Sequence, residues 1–291
     1  MTAMPNPVPV EAARVFLAGA TGVIGRRVIP PLVAAGHPVT AMTRRAGRVD
    51  ALRALGAEPV VADALDREGL RAAVAAARPD VVVHQLTDLA AYDVDANARV
   101  RGEGTRNLVD AARAAGARRM VAQSIAWCYA PGDGPADEGT PLDLAAGEPR
   151  RRTVQGVAAL EGAVGEMPEW VVLRYGMLIG PGTWFAPDGA RADDARAGLL
   201  EATGDVTSFV HADDAAAAAV QAIRWPSGAV NVCDDEPAAG HAWVPVFCAA
   251  VGAPPAPVRD GRAPWARGAA NARARGLGWA PRHPWRDAFG A

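Results

Sequence analysis

Short apolar runs separated by amphipathic stretches organise the first two thirds of the chain. Val15-Phe16-Leu17-Ala18 reads as a buried strand and Arg26 to Ala35 as an amphipathic helix. Pro38 to Thr43 and Pro59 to Ala62 read as the next two strands, with a helix around Asp50 to Leu55 between them. A helix from about Arg67 to Ala76 leads to the strand Asp80 to His84, and a longer helical stretch, about Asp95 to Ala115, precedes the strand Arg119 to Gln123. The segment Ala130 to Pro149, rich in Pro, Gly and Asp, reads as a loop; a helix over about 152–164 and the strand Trp170 to Tyr175 follow. Short buried strands alternating with helices predict an α/β fold, a doubly wound parallel sheet with its ligand crevice at the carboxyl ends of the strands. Beyond Gly180 the pattern loosens. Residues 181–194 read as a loop, 213–223 as a helix, 229–232 as a strand and 241–251 as a helix, before a tail rich in Pro, Arg and Trp. The organisation expected is a disordered leader over 1–12, a nucleotide-binding domain over 13–180, and a part over 181–291 that mixes returning sheet-edge elements with a small substrate-covering subdomain.

Composition narrows the function classes. Half of the 291 residues are hydrophobic, ample for a core, and the formal net charge of -2 carries no electrostatic footprint for nucleic acid or an anionic membrane. Arg, Asp, Gly or Pro interrupts every apolar stretch before it reaches the length of a membrane span. Met1 to Glu11 lacks the basic start and apolar core of a signal peptide. Three widely spaced cysteines and five scattered histidines give neither a disulfide framework nor a metal motif, and the reading is a cytoplasmic protein, monomer or homodimer, without a metal. One fact has chemical weight: all 30 basic residues are arginine, and the chain contains no lysine.

The chemistry starts at Gly19-Ala20-Thr21-Gly22-Val23-Ile24-Gly25, set directly between the first strand and the first helix. That frame is the one a dinucleotide fingerprint needs: Gly19 for the tight turn, Gly22 for approach of the pyrophosphate, Gly25 for close helix packing, with the helix N-terminus facing the phosphates. The fold class is accordingly Rossmann-like. At the end of the second strand, Thr43-Arg44-Arg45 offers two guanidinium groups and no carboxylate, which favours the 2′-phosphate of NADP(H) over the 2′-hydroxyl of NAD(H). Asp63 and Ala64, ending the third strand, are placed at the adenine, and Gln85, Leu86 and Thr87, ending the fourth, at the cofactor ribose.

These residues resemble a known family. The glycine loop, Gly36-His37-Pro38-Val39-Thr40, Asp63, Arg174-Tyr175-Gly176, Gly180-Pro181-Gly182, the segment Ser208 to Asp214, Asn231-Val232 and Leu277-Gly278-Trp279-Ala280-Pro281 together resemble an extended or atypical short-chain dehydrogenase/reductase, the NAD-dependent epimerase/dehydratase group. The resemblance spans nearly the whole chain. It implies a Tyr-x-x-x-Lys pair on the helix after the fifth strand, the Tyr moving a proton and the Lys lowering its pKa and holding the nicotinamide ribose. Anchored on Glu161, Thr153 falls at the Tyr position and Val157 at the Lys position, and no lysine exists anywhere to supply the charge. The gap resembles that of angucyclinone-type ketoreductases of actinobacterial polyketide pathways.

Ser124 is left as a hydrogen-bond donor to a substrate carbonyl and a neighbour of the cofactor, Tyr175 and Gly176 as residues passing the nicotinamide, and Thr153 as a further polar contact. Tyr92 and Tyr129 lie near the same crevice. Losing a general acid forfeits about 10²–10⁴ in rate, while holding the hydride donor against its acceptor contributes more. The reading is NADPH-dependent reduction of a ketone on an apolar or aromatic metabolite, in a pocket formed by 86–92, 124–129 and 176–187 with Trp127, Trp184 and Phe185 as walls. The alternatives are an NADP-binding sensor or scaffold without chemistry, and a nucleotide-sugar epimerase or dehydratase, which needs the missing pair.

Overall fold

The computed structural model describes residues 12–88 and 94–290. The expected leader lies outside these residues, save Ala12, and so does Tyr92. The seven strands expected from the pattern assemble into one parallel sheet: β1 (Val15–Ala18), β2 (Val39–Thr43), β3 (Glu58–Val61), β4 (Val81–His84), β5 (Arg119–Ile125), β6 (Glu169–Tyr175) and, much later in the chain, Gly228–Val232. In space the order is the last strand, then β6, β5, β4, β1, β2 and β3. The direction of winding reverses between β1 and β4, whose residues pair Val15 with Val81 and Ala18 with His84. That reversal opens the crevice at the carboxyl edge.

The inner strands look apolar because both faces are covered, whereas the edge strand β3 is half-buried to exposed. Val15 and Leu17 enter one cluster with Val83, Val171 and Leu173, while Phe16 and Ala18 enter the other with Val82, Met120 and Val172. Burying Phe16 completely contributes roughly 2–3 kcal/mol by area transfer. Helices α1 (Gly25–Ala34) and α2 (Val49–Ala54) cover the first face, and α3 (Arg67–Ala77), α5 (Thr105–Ala114) and α6 (Arg150–Val164) the second. The helical stretch expected over 95–115 is continuous in sequence pattern but not in geometry. It comprises α4 (Val94–Arg99), a π-helical segment Val100–Gly104, and then α5. Such widened turns recur at functional sites.

The segment after Gly180 holds more structure than its pattern suggests. Part of the expected loop 181–194 is helix α7 (Ala190–Arg196), which reads poorly because its buried side is only Ala192 and Ala195. Short strands β7 (Met177–Ile179), β8 (Val206–Thr207) and β9 (Phe209–His211) escape an eye trained on runs of four or more apolar residues. Helix α8 (Ala212–Gln221) packs on α1, and β10, the late sheet strand Gly228–Val232, closes the edge beside β6. The strand β11 (Ala238–Ala239) pairs with β8, and α9 (Gly240–Ala250) adds Trp243 and Phe247 to a third, aromatic cluster. The Arg- and Trp-rich tail forms α10 (Ala272–Gly276) and α11 (Trp285–Ala288) and enters both cores. Trp279 joins the α1/α8 face, its Nε1 donating to Asp214 O at 3.0 Å, and Trp285 joins the aromatic cluster, its amide donating to Asp234 Oδ2 at 2.6 Å. No helix among the described residues is long and apolar enough to cross a membrane.

Candidate active site

Steric necessity shapes the turn off β1. Gly19 has φ +85°, and a Cβ there would lie 2.5 Å from the carbonyl carbon of Gln85. At Gly25, which opens α1, a Cβ would press on Gly19 O and come within 2.9 Å of Ala20 Cα. Gly22 differs: it is exposed, and a Cβ would meet only Gly19 O, at 3.3 Å. Two glycines are thus demanded by packing, and the one between them leaves a surface open. Thr21 is exposed beside it, Val23 is half-buried, and Ile24 is buried in the core.

The ends of β2, β3 and β4 border this loop. Arg44 and Arg45 are exposed; Arg44 approaches Asp88 at 3.5 Å, and the Arg45 guanidinium makes no hydrogen bond among the described residues. Asp63 Oδ1 accepts from Leu65 N at 2.9 Å, and Ala64 O accepts from Asn107 Nδ2 at 2.9 Å, so both carboxyl-end residues shape a turn. Leu86 O accepts from Gln123 Nε2 at 2.9 Å, while Thr87 stays exposed. Gln85 Oε1 is buried with no partner among the described residues. An open glycine turn at a helix N-terminus, the unpaired Arg45 guanidinium and an orphaned buried acceptor fit a dinucleotide. Two neighbours escaped sequence reasoning. Arg27 ties the glycine loop to later segments through Val23 O, Pro181 O and Asp213. Arg26 is exposed, with Nη2 2.6 Å from where a Gly182 Cβ would lie.

The expected catalytic hydroxyls sit differently from expectation. Ser124 is fully buried and donates to Glu161 Oε1 at 2.7 Å, so it is committed to the protein rather than presented to a substrate. Glu161 also holds Arg174, at 3.0 Å from Nε and 2.6 Å from Nη2, and Arg174 Nη1 donates to the Tyr129 hydroxyl at 3.0 Å. Tyr129 donates in turn to Asn231 Oδ1 at 2.5 Å, and burial pushes its phenol up to about 12. Tyr175 lies in the α1/α8 core, 2% exposed, donating to Ala215 O at 3.3 Å and accepting from Gln85 Nε2 at 3.4 Å. Burial raises its pKa beyond the ordinary phenol value. Both hydroxyls face protein partners, and neither Ser124 nor Tyr175 lines the cavity beyond β5 and β6. Thr153 lies half-buried on α6, one turn before the apolar Val157.

Beyond β5 and β6 a cavity of about 310 Å³ opens, bordered by Ala126, Trp127, Tyr129, Gly176 and Met177. Trp243 and Trp265 add aromatic walls, and Arg191, Glu201, Asp205 and Arg267 add charge. Trp127 and Gly176 both line this cavity. Phe185 is not: it forms the centre of the aromatic core, 5.5 Å from Phe209 and 5.4 Å from Phe247 by ring centroid. Trp184 packs beside that core and is not among the lining residues. Trp265 is fixed by Arg150, whose guanidinium lies 4.5 Å above the ring. On the outer side of Gly180, ligand-type atoms of His211, Asp213 and His283 lie within 4.8 Å of one another. The two imidazoles are stacked at 4.5 Å and 31° rather than converging on one point, and Arg27 holds Asp213 at 2.7 Å.

Residues 19–182 match the NAD(P)H-binding family. The chain is 49% identical to a 3-diazoavenalumate denitrifying reductase of a Streptomyces species, across 95% of this chain and 99% of that protein. It is 36% identical to a 4-hydroxy-2-methyl-3-oxo-4-farnesyl-3,4-dihydroquinoline-1-oxide ketoreductase of Stigmatella aurantiaca, over 37% of this chain and 32% of that one. Among solved structures, the Thermus thermophilus UDP-glucose 4-epimerase in complex with NAD superposes with a TM-score of 0.74 at 23% identity, covering 95% of this chain and 96% of the other.

Proposed function

Because the chain belongs to the NAD(P)H-binding family and is an NAD(P)-dependent oxidoreductase, we propose that it removes the diazo group from an aromatic acid reductively, with NADPH as the preferred cofactor. The observation that carries this reading is the missing proton relay: Thr153 and Val157 replace the pair, Ser124 is bonded to Glu161, and the Tyr129 and Tyr175 hydroxyls are buried and engaged. Reduced nicotinamide would supply the hydride. Replacement of a diazonium group by hydrogen breaks one C–N bond, forms one C–H bond, consumes one hydride and releases N₂, with no proton taken up. A ketone needs a hydride and a proton. The near full-length similarity to a denitrifying reductase agrees with the acceptor that needs no acid.

The residues of the chain would then act by binding and orientation. The glycine loop with Thr21, Gly22 and Val23 takes the pyrophosphate, and Arg44 and Arg45 take the 2′-phosphate. Asp63, Ala64, Gln85, Leu86 and Thr87 border the adenosine and ribose. The part over 181–291 covers the substrate, with Trp127, Trp243 and Trp265 forming an aromatic slot. Asp205 lines the same cavity as an acidic group with no ion pair among the described residues, a candidate neighbour for a diazonium cation, while Glu201 is already held by Arg259. The second reading, ketone reduction on an aromatic metabolite, is supported by the partial likeness to a ketoreductase.

The test is turnover with NADPH deuterated at C4 and a diazonium salt of an aromatic acid, followed by membrane-inlet mass spectrometry for N₂ and by NMR of the product. Deuterium at the carbon that bore nitrogen, with one N₂ per NADPH, is the expected result. Cofactor oxidation without N₂, or ring hydrogen drawn from solvent, overturns it. An alcohol formed from an aromatic ketone, with no reaction on the diazonium salt, establishes the second reading instead.

A further inference from the structure

Arg101 is a buried cation to which no role has yet been assigned, and its Nε is one of several buried donors without a partner among the described residues. It sits on the π-helical segment Val100–Gly104 and is 4% exposed. Its guanidinium makes no hydrogen bond among the described residues, and Nε is a buried donor without a partner. The groups that interact with it electrostatically are His84 and Cys128. Both are neutral at physiological pH, His84 because burial and Arg101 itself push it down to about 4, and Cys128 because burial pushes it up to about 12. No carboxylate acts on Arg101 among the described residues. Two other guanidinium groups in the interior each have a carboxylate: Arg174 is clasped by Glu161, and Arg150, although its Nε and Nη1 lack hydrogen-bond partners, has Asp143 at 3.7 Å, two carbonyl acceptors and the Trp265 ring. Leaving a full charge buried without a counter-ion is strongly unfavourable, so such a residue is expected to have a partner in the working state.

Its location says which kind. His84 ends β4, and Cys128 follows β5, so Arg101 lies at the carboxyl edge of the sheet. Its stem runs against α6 at Gly156, where a Cβ would lie 3.6 Å from Arg101 Cδ. The next residue is Val157, the position where the resemblance expects a lysine. Trp127 and Tyr129, on either side of Cys128, line the 310 Å³ cavity. A neutral ribose diol would satisfy N–H donors but leave the charge uncompensated. A carboxylate does both and matches the planar fork of a guanidinium in bidentate geometry.

We propose that Arg101 anchors the carboxylate of the substrate, the widened turn at 100–104 lowering a guanidinium into the space beside α6 that a lysine at 157 would otherwise share. The inference rests on the reading that the substrate is an aromatic acid, but its test needs no turnover. It makes Arg101 a substrate-positioning residue and explains how the crevice keeps a fixed cation in a chain without lysine.

Two measurements decide it. The first is binding of 4-hydroxycinnamate and of its methyl ester to the cofactor-saturated protein, followed by tryptophan fluorescence. The wild type is expected to prefer the acid on the order of tenfold or more, the worth of one charge-assisted pair, and Arg101→Met to bind both alike. Arg191→Gln, which removes a cation that lines the 310 Å³ cavity, is expected to keep the preference, and NADPH affinity is expected to stay within about twofold in all variants. The second is the melting temperature without ligand: Arg101→Met should be at least as stable as wild type, because an uncompensated buried charge is replaced by an apolar stem. An acid preference that survives Arg101→Met, or that vanishes in Arg191→Gln, overturns the proposal. So does an Arg101→Met protein that melts lower or fails to fold, since the guanidinium would then be structural. If the diazonium test fails while the acid preference still depends on Arg101, the anchor stands and only the reaction is wrong.

Discussion

Two alanine substitutions three residues apart, Gly25→Ala and Gly22→Ala, should separate folding from cofactor binding in the same loop. At Gly25 the new methyl meets backbone on every near side, Gly19 O and C and Ala20 Cα, with the carbon contacts at 2.9 Å. Backbone cannot rotate away as a side-chain tip can, and Gly19 is itself pinned against Gln85. Overpacking of this kind costs about 3 kcal/mol, and the better helix propensity of alanine returns about 1 kcal/mol, leaving a net loss of about 2 kcal/mol. At roughly 2–4 °C per kcal/mol for a chain of this size, the melting temperature should fall by about 5 °C. At Gly22 the nearest atom is Gly19 O at 3.3 Å and the position is exposed, so the melting temperature should hold within about 1 °C. The same methyl stands where a pyrophosphate must approach. Losing one charge-assisted hydrogen bond there weakens NADPH binding by about 10- to 100-fold. Differential scanning fluorimetry reads the first quantity and NADPH fluorescence titration the second. A folded Gly22→Ala protein that binds NADPH like wild type would refute the phosphate assignment, and an unchanged melting temperature in Gly25→Ala would refute the packing argument.

Arg44→Ala and Arg45→Ala should each raise the KM for NADPH on the order of tenfold and leave that for NADH within about twofold. Equal losses with both cofactors would place these arginines elsewhere than at a 2′-phosphate. The buried His84 gives a pH signature. Its folded pKa is lowered to about 4 while the unfolded chain takes a proton near the ordinary value of 6.5, so its contribution is complete above that pH and is lost as pH falls from there towards 4. Urea unfolding at pH 7.5 and 5.0 should show wild type losing on the order of 2 kcal/mol more than His84→Gln, a change that retains a donor towards Thr105. Parallel losses would mean that His84 is protonated or exposed in the folded protein.

What the sequence makes legible follows from the range of each interaction. The inner sheet strands can be read because covering both faces forces continuous apolar runs such as Val81-Val82-Val83, and the exposed edge strand β3 is legible only through its short Val60-Val61-Ala62 run. The glycine loop can be read because its constraints act within a few residues. The π-helical segment cannot, since Val100–Gly104 continues an ordinary helical pattern, and the widened turn shows only in where Arg101 ends up. Ser124 looks available until Glu161, 37 residues on, takes its proton donor. Phe185 looks like a pocket wall until Phe209, Trp243 and Phe247 arrive from two later segments and make it core. Pocket residues Glu201, Asp205 and Arg267 carry no local signal, because only the tertiary path brings them to one cavity.

The last turns of the chain have a consequence for how the molecule comes into being. Helix α8 covers the back of α1, and its Asp214 is held by the amides of Arg282 and His283 while Trp279 seals the same face. On a ribosome, β1 to β6 and the glycine loop are complete long before those residues emerge. Until then the nascent sheet carries an uncovered Val- and Ala-lined face, a surface for chaperones or for self-association. Closing the α1/α8 side of the sheet therefore waits for Trp279, Arg282 and His283, about 100 residues after β6, although the strands it covers come early in the chain.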